Sequence, residues 1–231
     1  MASVGLILAL AVIVLGIWSL TFQKTPVFTQ ADEILITDFV NTTGDEVFDG
    51  ALKTALTVKL NESPYLNIVS ESAVNETLSY MEQPPEIPIT PEVGREICQR
   101  RGNKAVMIGE IAQLGSTYLV TLNAEACQTG ELLAQTQADA NGKEEVLRAL
   151  DSAATQMREK LGESLASIET INTPLSQATT SSLEALKAIS KAGEMNELLR
   201  FRDAIAFAER AVVLDPDCAT AHVALSANYW N

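Results

Sequence analysis

Histidine is almost missing from this chain: one residue in 231, His222, carries an imidazole. A Ser/His/Asp or Cys/His centre needs an imidazole beside its nucleophile. His222 lies in an alanine-rich helical stretch, where a packing or surface role suits it better. No His/Cys cluster has zinc-ligand spacing. No phosphate loop, dinucleotide fingerprint or kinase catalytic loop is present either. Carboxylates are plentiful, but context singles out no pair for acid–base work. The expectation is a non-enzymatic chain with no catalytic residue, cofactor or metal. Basic residues are also scarce: 16 Lys and Arg against 30 Asp and Glu give a net charge of −14. Such a surface repels nucleic acid and anionic headgroups, so no nucleic-acid partner is expected for this portion. Only three cysteines occur, Cys98, Cys127 and Cys218. An odd count suggests one pair and one spare.

Charge is wholly missing from Val4–Phe22, which is dominated by Leu, Ile, Val and Ala. At 1.5 Å per residue it spans about 28 Å, close to the roughly 30 Å hydrocarbon core. No Lys or Arg precedes it and no small-x-small exit follows, so a retained membrane span is expected over a cleaved signal. Lys24 alone flanks it closely and gives little topological drive.

After a polar linker (25–32), Ile34–Phe39 reads as a buried strand running into the turn Asn41-Thr-Thr-Gly-Asp45. Thr43-x-x-Glu46 has the form of a capping box, opening a helix with Val47, Leu52, Ala55, Leu56 and Leu60 on one side. Leu66–Val69 reads as a second strand, and Ser70 caps a helix carrying Val74, Leu78 and Met81. Prolines then break the chain at 84–88. Thr90-Pro91-Glu92 starts a helix that runs to Arg101 and stops at Gly102. Three strands follow, Lys104–Ile111, Thr117–Ala126 and Glu131–Ala138, joined by turns short enough for antiparallel hairpins. In the middle strand Tyr118, Val120 and Leu122 alternate with the more polar Leu119, Thr121 and Asn123. A long helix from Lys143 carries Val146, Leu147, Leu150, Ala153, Ala154, Met157 and Leu161 at helical spacing. The order βαβααβββα predicts one α/β domain over 33–170 with a mixed sheet, parallel early and a meander late. A Ser/Thr-rich linker (171–182) leads to helices over 183–231.

Those helices carry a repeat. Ala204, Ala211 and Pro216, followed by Leu225 and Tyr229, have the spacing of the second helix of one tetratricopeptide repeat and the first helix of the next. Position 208 is Ala where that repeat prefers an aromatic, and the preceding helix lacks the usual Trp, Gly and Tyr, so the first repeat reads as a degenerate cap. The pattern breaks off at Asn231, and the chain is expected to be a piece of a longer array. A concave repeat surface implies a protein or peptide partner.

The candidate ligand loop is Asp38, Asn41, Thr42, Thr43, Gly44 and Asp45, because α/β sheets favour ligands at the carboxyl ends of strands. The alternative is that these residues only build a turn and a cap. Arg95, Arg100, Arg101 and Lys104 form a small basic cluster, most simply read as a solvated helix end. Cys98 and Cys127 fall beside the same meander. They are either bridged, in an oxidising compartment, or two buried thiols.

Ile34 through Gly50, Thr90-Pro-Glu through Arg100, Cys127-Gln-Thr-Gly130 and Ala178 through Lys187 together resemble the C-terminal region of bacterial receptor-type serine/threonine kinases with tetratricopeptide repeats. The likeness covers Asp32 to Asn231. The α/β domain looks like the N-terminal domain of the Tol-system propeller protein, a fold without known catalysis. The resemblance implies a membrane-anchored sensor or protein-interaction module, single-pass in a bacterial inner membrane, with residues 25–231 extracytoplasmic. It also implies a Cys98–Cys127 bridge. No kinase domain precedes the apolar segment, so no kinase residue carries over. The alternatives are the periplasmic half of a transmembrane winged-helix transcription regulator, a standalone tetratricopeptide scaffold, or a standalone enzyme.

Overall fold

A computed structural model describes Phe28 and residues 32–229. Its centre is one sheet of β1 (Glu33–Ile36), β2 (Val40–Asn41), β3 (Asn67–Ile68), β4 (Ala105–Leu114), β5 (Thr117–Ala126) and β6 (Leu132–Ala140). The strands run in the order β3-β1-β4-β5-β6, with β2 pairing β4 beyond the end of β1. Pairing is parallel among β1, β2, β3 and β4. It is antiparallel through β4, β5 and β6, with Ile108 opposite Asn123 and Val120 opposite Ala138. The sheet is thus mixed, and its two modes follow the connections: crossovers through helices early, tight turns late.

The helices are α1 (Ala51–Asn61), α2 (Glu71–Tyr80), α3 (Pro91–Arg101), α4 (Val146–Lys160), α5 (Leu165–Ile171), α6 (Leu175–Ala178), α7 (Leu183–Glu197), α8 (Phe201–Leu214) and α9 (Ala219–Tyr229). The pleat divides the strand residues between two cores. Ile34, Ile36, Met107, Val120 and Leu122 pack with Leu52, Leu56, Leu147 and Leu150 of α1 and α4. Leu35, Val106 and Ile108 point the other way and meet Val74, Leu78 and Ile97 of α2 and α3.

Helix starts follow side-chain caps at Ser70, Thr90 and Ser182, whose oxygens accept from Ala73, Val93 and Ala185 N–H. Gly102 ends α3 in the left-handed region, at φ 72°, a conformation that costs glycine least. The capping box expected at Thr43 does not form. Thr43 Oγ1 accepts from Asp45 N–H instead, and Asp45 caps a single 3-10 turn, Glu46–Phe48, by accepting from Val47 N–H at 3.0 Å. The α-helix begins only at Ala51, after Gly50. Two short-range acceptors competed for the same turn, and the one nearer the amides won.

The Ser/Thr-rich stretch 171–182, expected as a linker, contains α6 and buries Leu175, Thr179 and Thr180. It is held down by an ionic network. Lys59 and Arg158 are fully buried. Lys59 Nζ donates to Thr173 O at 2.6 Å and lies 2.9 Å from Asp151 and 3.1 Å from Glu62. Arg158 makes two 2.8 Å bonds to Glu163 and a third, 3.1 Å, to Glu62.

Helix α7 packs against α1 and brings Ser190 onto Gly50. Gly50 has φ +74°, and a Cβ there would lie 2.3 Å from Ser190 Oγ. Gly50→Ala is therefore expected to cost about 1–3 kcal/mol through backbone strain and the clash. Adding Ser190→Ala should recover only the steric part, as read from urea midpoints. Equal midpoints for Gly50→Ala and the parent would contradict this packing.

The single-pass inner-membrane placement, with 25–231 extracytoplasmic, is corrected. Among the described residues no helix is long and apolar enough to cross a membrane. The longest, α4 and α7, have 15 residues each, about 22 Å against a core of roughly 30 Å, and both carry charges. Val4–Phe22, on which that placement rested, lies outside the described residues.

Candidate functional site

In the loop after β1 the polar side chains of Asp38, Asn41, Thr42, Thr43 and Asp45 have partners within the loop and on neighbouring elements. Asp38 Oδ1 accepts from Lys53 Nζ at 3.1 Å, and Oδ2 accepts from Ile89 N–H at 2.7 Å. Lys53 also reaches Glu71 at 3.0 Å. Burial alone would lower the Lys53 pKa, but the charges of Glu71 and Asp38 outweigh it and the net shift is upward. Asn41 Nδ2 donates to Asp45 O and Asp49 Oδ1, while Asn41 Oδ1 accepts from the Thr43 N–H and hydroxyl. Thr42 Oγ1 donates to Ile111 O. Lys143 donates to Asp45 from 2.8 Å away. That bond, then the one from Val47 N–H, holds the Asp45 carboxyl below its usual range. Gly44, at φ +79°, closes the turn. This is the geometry of a turn and a cap, locked to β4 and to the start of α4.

At the opposite end of the strands the C-terminus of α3 meets the end of β5. Cys98 and Cys127 are joined by a disulfide there, with Cα atoms 5.7 Å apart and both side chains buried. Gln99 Nε2 donates to Cys127 O at 2.9 Å, adding a second link. Cys218 is free and buried between α7, α8 and α9. The four basic residues near this corner do not converge on one point. Arg95 pairs with Glu125, Arg100 with Glu96, and Lys104 with Asp32 at 3.7 Å. Arg101 donates from Nη1 to Ala73 O and Thr77 Oγ1.

Beside the disulfide lies a cavity of about 510 Å³, lined among others by Asp32, Glu33, Arg101, Asn103, Lys104 and Gln128. Asn103 is 6% exposed. Its Nδ2 donates to Glu33 Oε2 at 2.5 Å, while its Oδ1 and Arg101 Nε have no hydrogen-bond partner among the described residues. A buried acceptor left unpaired is uncommon. Sequence reading passed over Asn103 because an Asn after a helix-ending Gly is ordinary turn chemistry.

The repeat-like helices form a stack, α8 on α7 and α9 on both. Ala204 and Ala211 are buried with Ala208, and these small side chains let α8 approach α7 closely. Pro216 lies in the α8–α9 turn, its carbonyl 2.8 Å from His222 Nε2. Leu225 is half-buried, and Tyr229 is exposed with its hydroxyl donating to Glu209. Phe207, Val213 and Val223 are exposed too.

Among the described residues, no group of three or more His, Cys, Asp or Glu side chains could hold a metal ion. No protein-family model and no curated protein match the sequence. Solved structures show weak likeness. The C-terminal domain of LpoB from Salmonella enterica is 15% identical, at a TM-score of 0.45, over 53% of this chain and 89% of that one. The lipoprotein GNA1162 from Neisseria meningitidis is 19% identical, at 0.41, over 55% and 96%. TolB from Acinetobacter baumannii is 17% identical, at 0.40, over 58% and 29%. At these scores and identities, neither partner nor activity passes from them to this chain.

Proposed function

We propose that this chain is a non-catalytic protein-interaction module: a mixed α/β domain that carries a tetratricopeptide-type stack, α7–α9, as its binding element. One observation supports this reading above the others. The stack is seated on α1 through α7, while its outer helices leave Phe207, Val213, Val223 and Tyr229 exposed. Exposed large apolar side chains on a firmly seated scaffold fit a protein or peptide surface. The finer readings, a tetratricopeptide array and association with a receptor-type serine/threonine kinase, rest on sequence resemblance alone.

The test is site-specific photo-crosslinking in the native cell. A crosslinker at 207 or 223 is expected to yield discrete protein adducts that one at exposed Tyr80, on α2, does not. Phe207→Ser should remove the adduct formed at 223 without lowering the thermal midpoint by more than a few degrees. Adducts of equal yield at 80, 207 and 223, or none at 207 and 223, would overturn the proposal.

A further inference from the structure

Strand β6 ends the sheet, and among the described residues no strand pairs with its outer side. The opposite edge is β3, with two residues, whereas β6 has nine, about 30 Å of extended chain. The phase of the antiparallel ladder fixes which groups β6 presents. Leu114 and Thr117 flank the two-residue turn between β4 and β5, so they form a hydrogen-bonded pair, and every second pair after them does the same. Leu119, Thr121 and Asn123 therefore bond to β4, which leaves Tyr118, Val120 and Leu122 to bond to β6. Their partners there are Ala140, Ala138 and Thr136. The N–H and C=O of Gln135, Gln137 and Asp139 thus point outward. In agreement with this phase, Lys160 Nζ donates to Gln135 O at 2.6 Å. The outward groups of Gln137 and Asp139 have no such partner among the described residues.

Free edges are ordinarily protected by short length, by lysine or by proline. Strand β6 is long and contains no Lys, Arg or Pro. Lys160 guards it from α4, but covers a single carbonyl. The side chains of Gln135, Gln137 and Asp139 share one exposed face. Asp139, and Glu131 just before the strand, form no ion pair among the described residues. We propose that the outer edge of β6 receives an extended strand of a partner protein, one that places Lys or Arg opposite Asp139. Main-chain bonds at Gln137 and Asp139 hold such a strand, and the cation opposite Asp139 selects it. Charge argues against a second copy of this chain as the occupant. Another β6 brings no cation to set opposite Asp139, and each chain carries a net −14. This inference goes beyond the interaction surface on α7–α9 and involves none of its residues, so either can fail alone.

The experiment is a titration of the chain with a blocked heptapeptide of alternating lysine and valine, followed by amide hydrogen exchange. Exchange at Gln137 and Asp139 is expected to slow, while Thr136 and Ala138, already in the ladder with β5, change little. The same peptide with alternate amides N-methylated keeps its charge but cannot pair, and should give no protection. A glutamate–valine heptapeptide should not bind. Asp139→Lys, at an exposed site, should weaken the lysine peptide by about 5-fold or more and admit the glutamate peptide instead. Gln137→Pro removes an outward N–H without a ladder bond, and should abolish protection at Asp139 while the thermal midpoint stays within a few degrees. No protection at Gln137 and Asp139 overturns the proposal. So does equal protection by the N-methylated peptide, or a peptide preference that Asp139→Lys leaves unchanged. Protection of these amides that rises with protein concentration in the absence of peptide would assign the edge to a second copy and overturn it as well.

Discussion

Arg158→Met should destabilise the fold by about 3–5 kcal/mol, the loss expected when one partner of a buried ion pair is removed. The guanidinium is fully buried and donates to both oxygens of Glu163, itself buried, and to Glu62. Without it Glu163 keeps only hydroxyl donors, Ser63 and Ser167, while Lys59 is left to face Glu62 and Asp151. The measurement is the urea midpoint, with m-values checked for two-state behaviour. Arg158→Met combined with Glu163→Leu should recover much of the loss, because a buried pair replaced whole by apolar groups is often close to neutral. A single substitution costing under about 1 kcal/mol would mean that solvent reaches this network.

The same network predicts a pH dependence. Burial by itself would raise the Glu163 pKa, but hydrogen bonds from Arg158, Ser63 and Ser167, with the Arg158 charge, leave it below its ordinary 4.5. A carboxylate whose folded pKa is depressed stabilises the protein at every pH above its unfolded value. It loses that contribution as pH falls through the folded one. Part of the acid unfolding of the parent, below about pH 4.5, thus belongs to Glu163, and Glu163→Gln should flatten the stability curve there while lowering its neutral plateau.

That network also shows where sequence reading stops. Lys59 and Arg158 look like solvated residues on amphipathic helices, because a lysine or arginine is almost never fully buried unless paired. Each has one partner close by, Glu62 for Lys59 and Glu163 for Arg158, but the partner that draws it inward lies far along the chain, Asp151 and Glu62 respectively. Local signals were legible where one interaction decides: Ser70, Thr90 and Gly102 set helix ends, and the alternation of Tyr118, Val120 and Leu122 set the buried face of β5. They were not legible where two neighbours compete, as at Thr43 and Asp45. At 171–182, expected as a linker from its serines and threonines, composition gave no sign that Leu175 and Thr180 are packed in place. The candidate ligand loop has its polar groups engaged by hydrogen bonds, some within the loop and others to Lys53, Ile89 and Ile111. The cavity at Asn103 gave no compositional sign, since an unpaired acceptor is a property of three-dimensional surroundings.

Replacing Cys98 and Cys127 together by Ser should lower stability by about 3–4 kcal/mol, the chain-entropy value for a loop closed across 29 residues. The bridge confines the unfolded chain between the end of α3 and the end of β5, and that segment includes all of β4, the strand that touches β1, β2 and β5. Comparison of urea midpoints for oxidised parent, reduced parent and the double variant separates the contributions. Reduced parent and variant should agree, and both should fall well below the oxidised form. Cys218, buried among α7–α9, should react with an alkylating agent only after denaturation, leaving the count of titratable thiols in oxidised native protein near zero. Because the bridge also joins the two sides of the Asn103 cavity, reduction should speed amide exchange at Asn103 and Cys127 before it affects the middle of β5, which is held by ladders on both edges. Equal midpoints for oxidised and reduced protein would show that the hydrogen bonds of Gln99 and Asn103 suffice to hold this corner, and that the cysteines serve it only as small buried side chains.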